Sequence, residues 1–204
     1  MAPNSMISPT DMESSPLRMP IGYASTPERH RQKWDSILSV FLAGDWDRLS
    51  KLQRTGTRGR IFSTLVKRTF EAVGIDIKPE PVFESIAPAA WYREFAGRHG
   101  LKLRIDEQYN PDFLLADGTW AEATLSENTA YKKLFRYGHQ APRLQVIWLD
   151  IDDGLHKRLC EEVEFPNASV RPVDEYFPML MEMNNGAEIV RQFESLRTLK
   201  GQVL

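Results

Sequence analysis

Residues 110–133 read "NPDFLLADGTWAEATLSENTAYKK". Two short β-prone runs flank Asp117-Gly118, which predicts a hairpin. Its loop length decides where the acids point. A two-residue turn at Asp117-Gly118 would pair Asp112 with Ala123 and send Asp112 and Glu122 to opposite faces of the sheet. A three-residue loop, Ala116-Asp117-Gly118 with Gly118 left-handed in a bulge, would pair Leu115 with Thr119 and Asp112 with Glu122 on one face. The residues permit either. Glu122 lies between Ala121 and Ala123 in an apolar strand, where burying an acid without a partner is costly. The plainer alternative makes Asp112 a strand cap and Glu122 a solvated strand residue.

Outward from the hairpin, the pattern is helix, strand, hairpin, helix, strand. "SENTAYKKLFRYGHQ" predicts a capped helix with Ala130, Leu134 and Tyr137 on one face, and "LQVIWLDI" is a continuous apolar run of the kind covered on both sides. Upstream, "RGRIFSTLVKRTFEAVGI" predicts a helix with an apolar stripe ended by Gly74. "IDIKPEPVF" is a strand or extended connector, "ESIAPAAWYREFAGRHG" a helix starting near Pro88, and "LKLRIDEQY" a strand. Helices are expected downstream in "DGLHKRLCEEV", "VDEYFPMLMEM" and "AEIVRQFESLRTLK". The expected fold is α/β: a mixed sheet flanked by helices, with one right-handed crossover and an N-terminal helical extension. Residues 1–26 read as a disordered or loosely docked arm, 27–57 as the helical segment (with a short helix at "DWDRLSKLQ"), and 58–204 as the main α/β domain.

Composition removes several classes of function. Across 204 residues, an apolar fraction of 42% fits a globular chain. Cys160, the single cysteine, excludes a disulfide framework and a multi-cysteine zinc site, and its acidic neighbours Glu161 and Glu162 would raise its pKa. The four histidines lack metal-ligand spacing, and neither a phosphate-cradling glycine loop nor a nucleophile elbow is present. No apolar run approaches the ~20 residues of a membrane span. Without a secretory signal at the N-terminus, the expected location is intracellular: cytoplasm, nucleoid or nucleus.

Between Glu28 and Arg68 there are ten basic and four acidic residues. The excess around "KLQRTGTRGR" offers Arg54, Arg58, Arg60, Lys67 and Arg68 as salt-sensitive contacts to a nucleic-acid backbone, or else a solubilising turn. Trp91, Tyr92, Trp120 and Tyr131 are either a stacking platform for bases or core.

Two carboxylates on neighbouring strands are the minimal protein contribution to Mg²⁺-assisted phosphodiester hydrolysis, and a nearby lysine can orient the attacking water. "NPDFLLADGTWAEAT", with a helix before it and a helix and buried strand after it, resembles the PD-(D/E)XK nuclease superfamily, of restriction-endonuclease-like fold. The resemblance spans about residues 58–151 and its motif about fifteen residues. Pro111-Asp112 matches the PD pair and Glu122-Ala123-Thr124 the (D/E)XK triplet. It implies that Asp112, Glu122 and the Ala123 carbonyl hold Mg²⁺ (or Mn²⁺). It also implies a helical glutamate. Glu84 is the candidate; a rival alignment with "GRIFSTLVKRTFEAVGI" puts Ser63 there and supplies no acid. Thr124 stands where the family has lysine, and Lys132 or Lys133 on the next helix would replace it. The implied activity is a DNA endonuclease (RNA is the alternative substrate), with a homodimer attractive for cutting both strands of a duplex. The other reading is an inactive nuclease-fold module that binds nucleic acid or a protein.

Overall fold

A computed structural model describes residues 17–24, 28–45, 48, 57–88, 90–100, 106–152, 154–160, 165 and 167–199. Its strands are β1 (Gly22–Tyr23), β2 (Ile77–Pro79), β3 (Pro81–Glu84), β4 (Gln108–Tyr109), β5 (Phe113–Leu115), β6 (Trp120–Ser126), β7 (Leu144–Asp150) and β8 (Ala168–Pro172). The helices are α1 (Glu28–Leu42), α2 (Thr57–Ala72), α3 (Ala90–Arg98), α4 (Glu127–Tyr137), α5 (Leu155–Cys160), α6 (Phe177–Met181) and α7 (Gly186–Thr198).

The fold is mixed α/β. A five-stranded sheet runs in the order β2-β5-β6-β7-β8, antiparallel from β2 to β6 and parallel from β6 to β8. A smaller sheet, β1-β3-β4, is antiparallel throughout. Alternation along β6 divides the core. Ala121 joins Ile61, Phe62, Leu65 and Phe70 of α2 and Phe193 and Leu196 of α7 on one face. On the other, Trp120 packs with Val146 and Trp148 of β7, Ala130, Leu134 and Tyr137 of α4, and Phe95 of α3. Each large side chain so buried contributes about 1.5–3 kcal/mol. β7 is covered on both faces, which explains its unbroken apolar run.

Some expectations change. A second crossover, β7–α5–β8, adds a parallel edge strand at Ala168–Pro172. Little in "ASVRP" announces β8, which is short, half-polar and ends in proline, as an edge strand can. Residues 85–88 are not helical and α3 begins at Ala90. Of the arm, residues 17–24 are docked: Ile21 and Ala24 donate to the Val82 and Glu80 carbonyls, each at 2.8 Å. Arg18 donates to the Gln140 carbonyl at 2.7 Å and lies over the Trp120 ring. The short helix expected at 45–53 lies outside the described residues apart from Asp45 and Arg48; of the strand expected at 101–109, residues 101–105 lie outside them, as does Arg54, and Gln108–Tyr109 is strand.

Candidate functional site

The hairpin takes the longer loop. Phe113 pairs with Ala121 and Leu114 with Trp120, and Leu115 N–H donates to the Thr119 carbonyl at 2.9 Å. Gly118 adopts φ +83°, a left-handed conformation that glycine takes without a steric penalty. Continued one step, this register sets Asp112 opposite Glu122. Asp112 is half-buried, and its Oδ2 accepts the Ala123 N–H at 2.8 Å, so a side chain takes over where the backbone ladder stops. The N–H and C=O of a strand residue point to the same side, so the Ala123 carbonyl faces this edge too.

Glu122 is 1% exposed, on the sheet face that α4 covers. Ser126 starts that helix, its Oγ accepting the Thr129 N–H at 3.2 Å. Seven residues past the cap, Lys133 reaches back and its Nζ donates to Glu122 Oε2. Glu122 Oε1 is buried without a hydrogen-bond partner. The Tyr137 hydroxyl lies beside the same carboxyl and donates to the Asn110 carbonyl at 3.3 Å. Thr124, two residues along β6, is buried on the same face.

Burial, then repulsion from Asp112, pushes the Glu122 pKa up to about 7 against the pull of Lys133. Burial also raises Asp112, opposed by Lys133, the Ala123 N–H and Arg60, and reinforced by Glu80. For Lys133, burial opposes the charge but Glu122 and Asp112 outweigh it, so its pKa lies above the ordinary lysine value.

The structure therefore brings together Asp112, Glu122, Ala123 and Lys133. Lys132 is exposed, one helical step of 100° away, and does not join them. Glu84 does not join them either. It is an exposed residue at the end of β3, paired with Gln108 and interacting with Arg18, because the expected helix starts six residues later. α2, the helix of the rival alignment, packs against β6; its one acid, Glu71, pairs with Lys67 at 3.5 Å.

Glu80 was missed. Its N–H donates to the Asp112 carbonyl at 2.9 Å and its carboxylate acts on Asp112. It has φ +49° between two prolines, a strained backbone for a non-glycine residue and a local feature that tends to gather at functional sites. "Pro79-Glu80-Pro81", an acid between two prolines in the expected strand or extended connector, is the signal it leaves in the sequence.

The basic group divides. Arg58 makes a bidentate bond to Asp150, at 2.7 and 3.1 Å, and donates to the Leu196 carbonyl, so it is a structural tie. Arg68 donates to Gln192 of α7 at 2.8 Å. Arg60 lies on the Asp112 side, 3.4 Å from Glu80. Trp120 stacks on Phe83 at 4.0 Å and Tyr92 is buried, so both are core; Tyr131 packs against it, and the Trp91 side chain lies outside the description. Cys160 is buried, and burial pushes its thiol up to about 12; Glu161 and Glu162 lie outside the described residues.

Among the described residues no group of three or more His, Cys, Asp or Glu side chains could hold a metal ion. Two carboxylates and a carbonyl nonetheless suit Mg²⁺, which keeps several waters and uses one or two carboxylates. The unpartnered Glu122 Oε1 is consistent with such an ion. Among the described residues no helix is long and apolar enough to cross a membrane. Neither a family model, nor a curated protein, nor a solved structure matches the chain.

Proposed function

We propose that the chain is a metal-dependent endonuclease that hydrolyses phosphodiester bonds in DNA, of restriction-endonuclease-like fold and PD-(D/E)XK type. The observation that carries this reading is Lys133 folded back onto Glu122, on the face that the three-residue loop assigns to Asp112. A hairpin serving only structure has no need of two acids and a lysine converging at its base. The succession α2, hairpin, α4, β7 supports the same reading.

Asp112, Glu122 and the Ala123 carbonyl would hold Mg²⁺, or Mn²⁺ in its place. The bound ion would activate water and offset charge on the transferring phosphate. Lys133 Nζ is positioned to donate to a phosphate oxygen or to the attacking water, the part that Thr124 cannot play. The Asp112–Ala123 bond fixes one carboxylate against the strand that carries the other.

The test is cleavage of plasmid and single-stranded DNA with Mg²⁺ or Mn²⁺. Asp112→Ala, Glu122→Ala and Lys133→Ala should each lower the rate by about a hundredfold or more, while Lys132→Ala leaves it near wild type. Cleavage that survives both acid substitutions removes the proposed site. Salt-sensitive binding without any cleavage favours the inactive module.

A further inference from the structure

Two cations lie over an aromatic side chain of α1, and one of them, Arg60, acts on Asp112. Trp34 of α1 is half-buried, its indole packed against the α2 side of the core. Lys33 Nζ lies 5.5 Å from the centre of that ring and the Arg60 guanidinium 5.6 Å from it. Arg60, 55% exposed, also contacts Glu80 at 3.4 Å, and Glu80 donates its N–H to Asp112. Asp112, Glu80, Arg60, Trp34 and Lys33 thus form a connected line from the Asp112 main chain to α1, and Arg60 is near enough to act on the Asp112 carboxyl.

From this line we infer that Trp34, Arg60 and Lys33 form a subsite for an unpaired nucleotide next to the scissile phosphate. The substrate class is then DNA with a single-stranded segment rather than blunt duplex. This rests on the endonuclease reading for its position beside the reaction, but binding can be measured without cleavage. A base has a π-face that stacks on an indole, and unpaired bases alone expose it. Arg60 and Lys33 lie over the ring, and a stacking base would displace them toward its flanking phosphates, which need cations within reach. The Arg60–Glu80 contact is long and exposed, so a phosphate can displace it. Base-paired DNA presents its phosphates but hides its base faces, and gains nothing from Trp34.

The experiment is fluorescence anisotropy with labelled oligo(dT) and a blunt duplex, in EDTA, over a range of salt. Wild type and Glu122→Ala should both prefer oligo(dT). Trp34→Leu, which keeps an apolar group against the core, should weaken oligo(dT) binding about tenfold, and Trp34→Phe should recover most of it. Arg60→Gln and Lys33→Gln should each lower the slope of log affinity against log salt by about 0.7. Single-strand binding lost in Trp34→Leu supports the subsite even if wild type never cleaves. Asp112-dependent cleavage with oligo(dT) binding indifferent to Trp34→Leu, at unchanged circular dichroism, overturns the subsite and leaves the nuclease. Equal affinity for blunt duplex also overturns it.

Discussion

Glu122 is a buried acid whose charge is opposed by burial and by Asp112. Its folded pKa, about 7, lies above the ordinary value of 4.5, so between these pH values the native state binds more protons than the unfolded chain. Stability therefore falls as pH rises through that window, by about 3 kcal/mol from this group. Lys133, with a raised pKa, titrates far above the window and does not change the sign. Urea denaturation from pH 4.5 to 8 should show the decline, and Glu122→Gln should flatten it. Lys133→Ala leaves a buried carboxylate without its cation and should cost about 3–5 kcal/mol at pH 8. Most of that cost should vanish at pH 5, where Glu122 is protonated. A Lys133→Ala penalty equal at both pH values would mean that the ion pair matters little.

The hairpin sets the parity of the site and α4 completes it. A left-handed φ at a residue with a Cβ costs about 1–2 kcal/mol. At Gly118 an added Cβ would also meet the Leu17 side chain at 2.3 Å, although that chain end can move. Gly118→Ala should therefore lower stability by about 1–2 kcal/mol in a urea melt. If the altered turn relaxes to two residues, Asp112 and Glu122 separate and cleavage falls further than stability. The odd loop was readable as one of two options, because Ala116-Asp117-Gly118 contains the glycine that a bulge needs. Which lysine folds back was not readable. Lys132 and Lys133 flank the Ala130–Leu134–Tyr137 stripe, and the choice depends on how α4 lies across β6. Glu80 was hidden for a different reason: its role arises from a backbone contact with Asp112 across 32 residues, which no periodicity encodes.

Across the molecule, arginines tie helices to the sheet as well as supplying charge. Arg58 joins the first turn of α2 to the end of β7 and to the last turn of α7. With Arg58 17% and Asp150 8% exposed, Arg58→Ala should cost about 3 kcal/mol of stability while leaving the salt dependence of DNA binding unchanged. A reduced salt slope at wild-type stability would instead make Arg58 a contact of the proposed DNA surface. Counting basic residues could not sort Arg58 from Arg60, two positions apart on one helix, because their partners come from distant parts of the chain. The order of the central elements was legible through the two β-prone runs around Asp117-Gly118, the stripe of α4 and the solid apolar run of β7. The parallel edge at β8 was not, since its five residues are only partly buried and carry no alternation.

Bringing the ammonium from a helix alters which sequence changes the chain can absorb. On a strand, residue 124 would need one fixed side chain; here Thr124 needs only to fit. The junction from Ser126 to Lys133 carries a constraint of another kind. One inserted residue would swing Lys133 by 100° around α4 and put its neighbour in its place. Drift at position 124 should therefore be tolerated, and so should one residue inserted before Lys132, which sets Lys132 where Lys133 stood, whereas one residue deleted there sets Leu134 in that place and should abolish the pairing with Glu122.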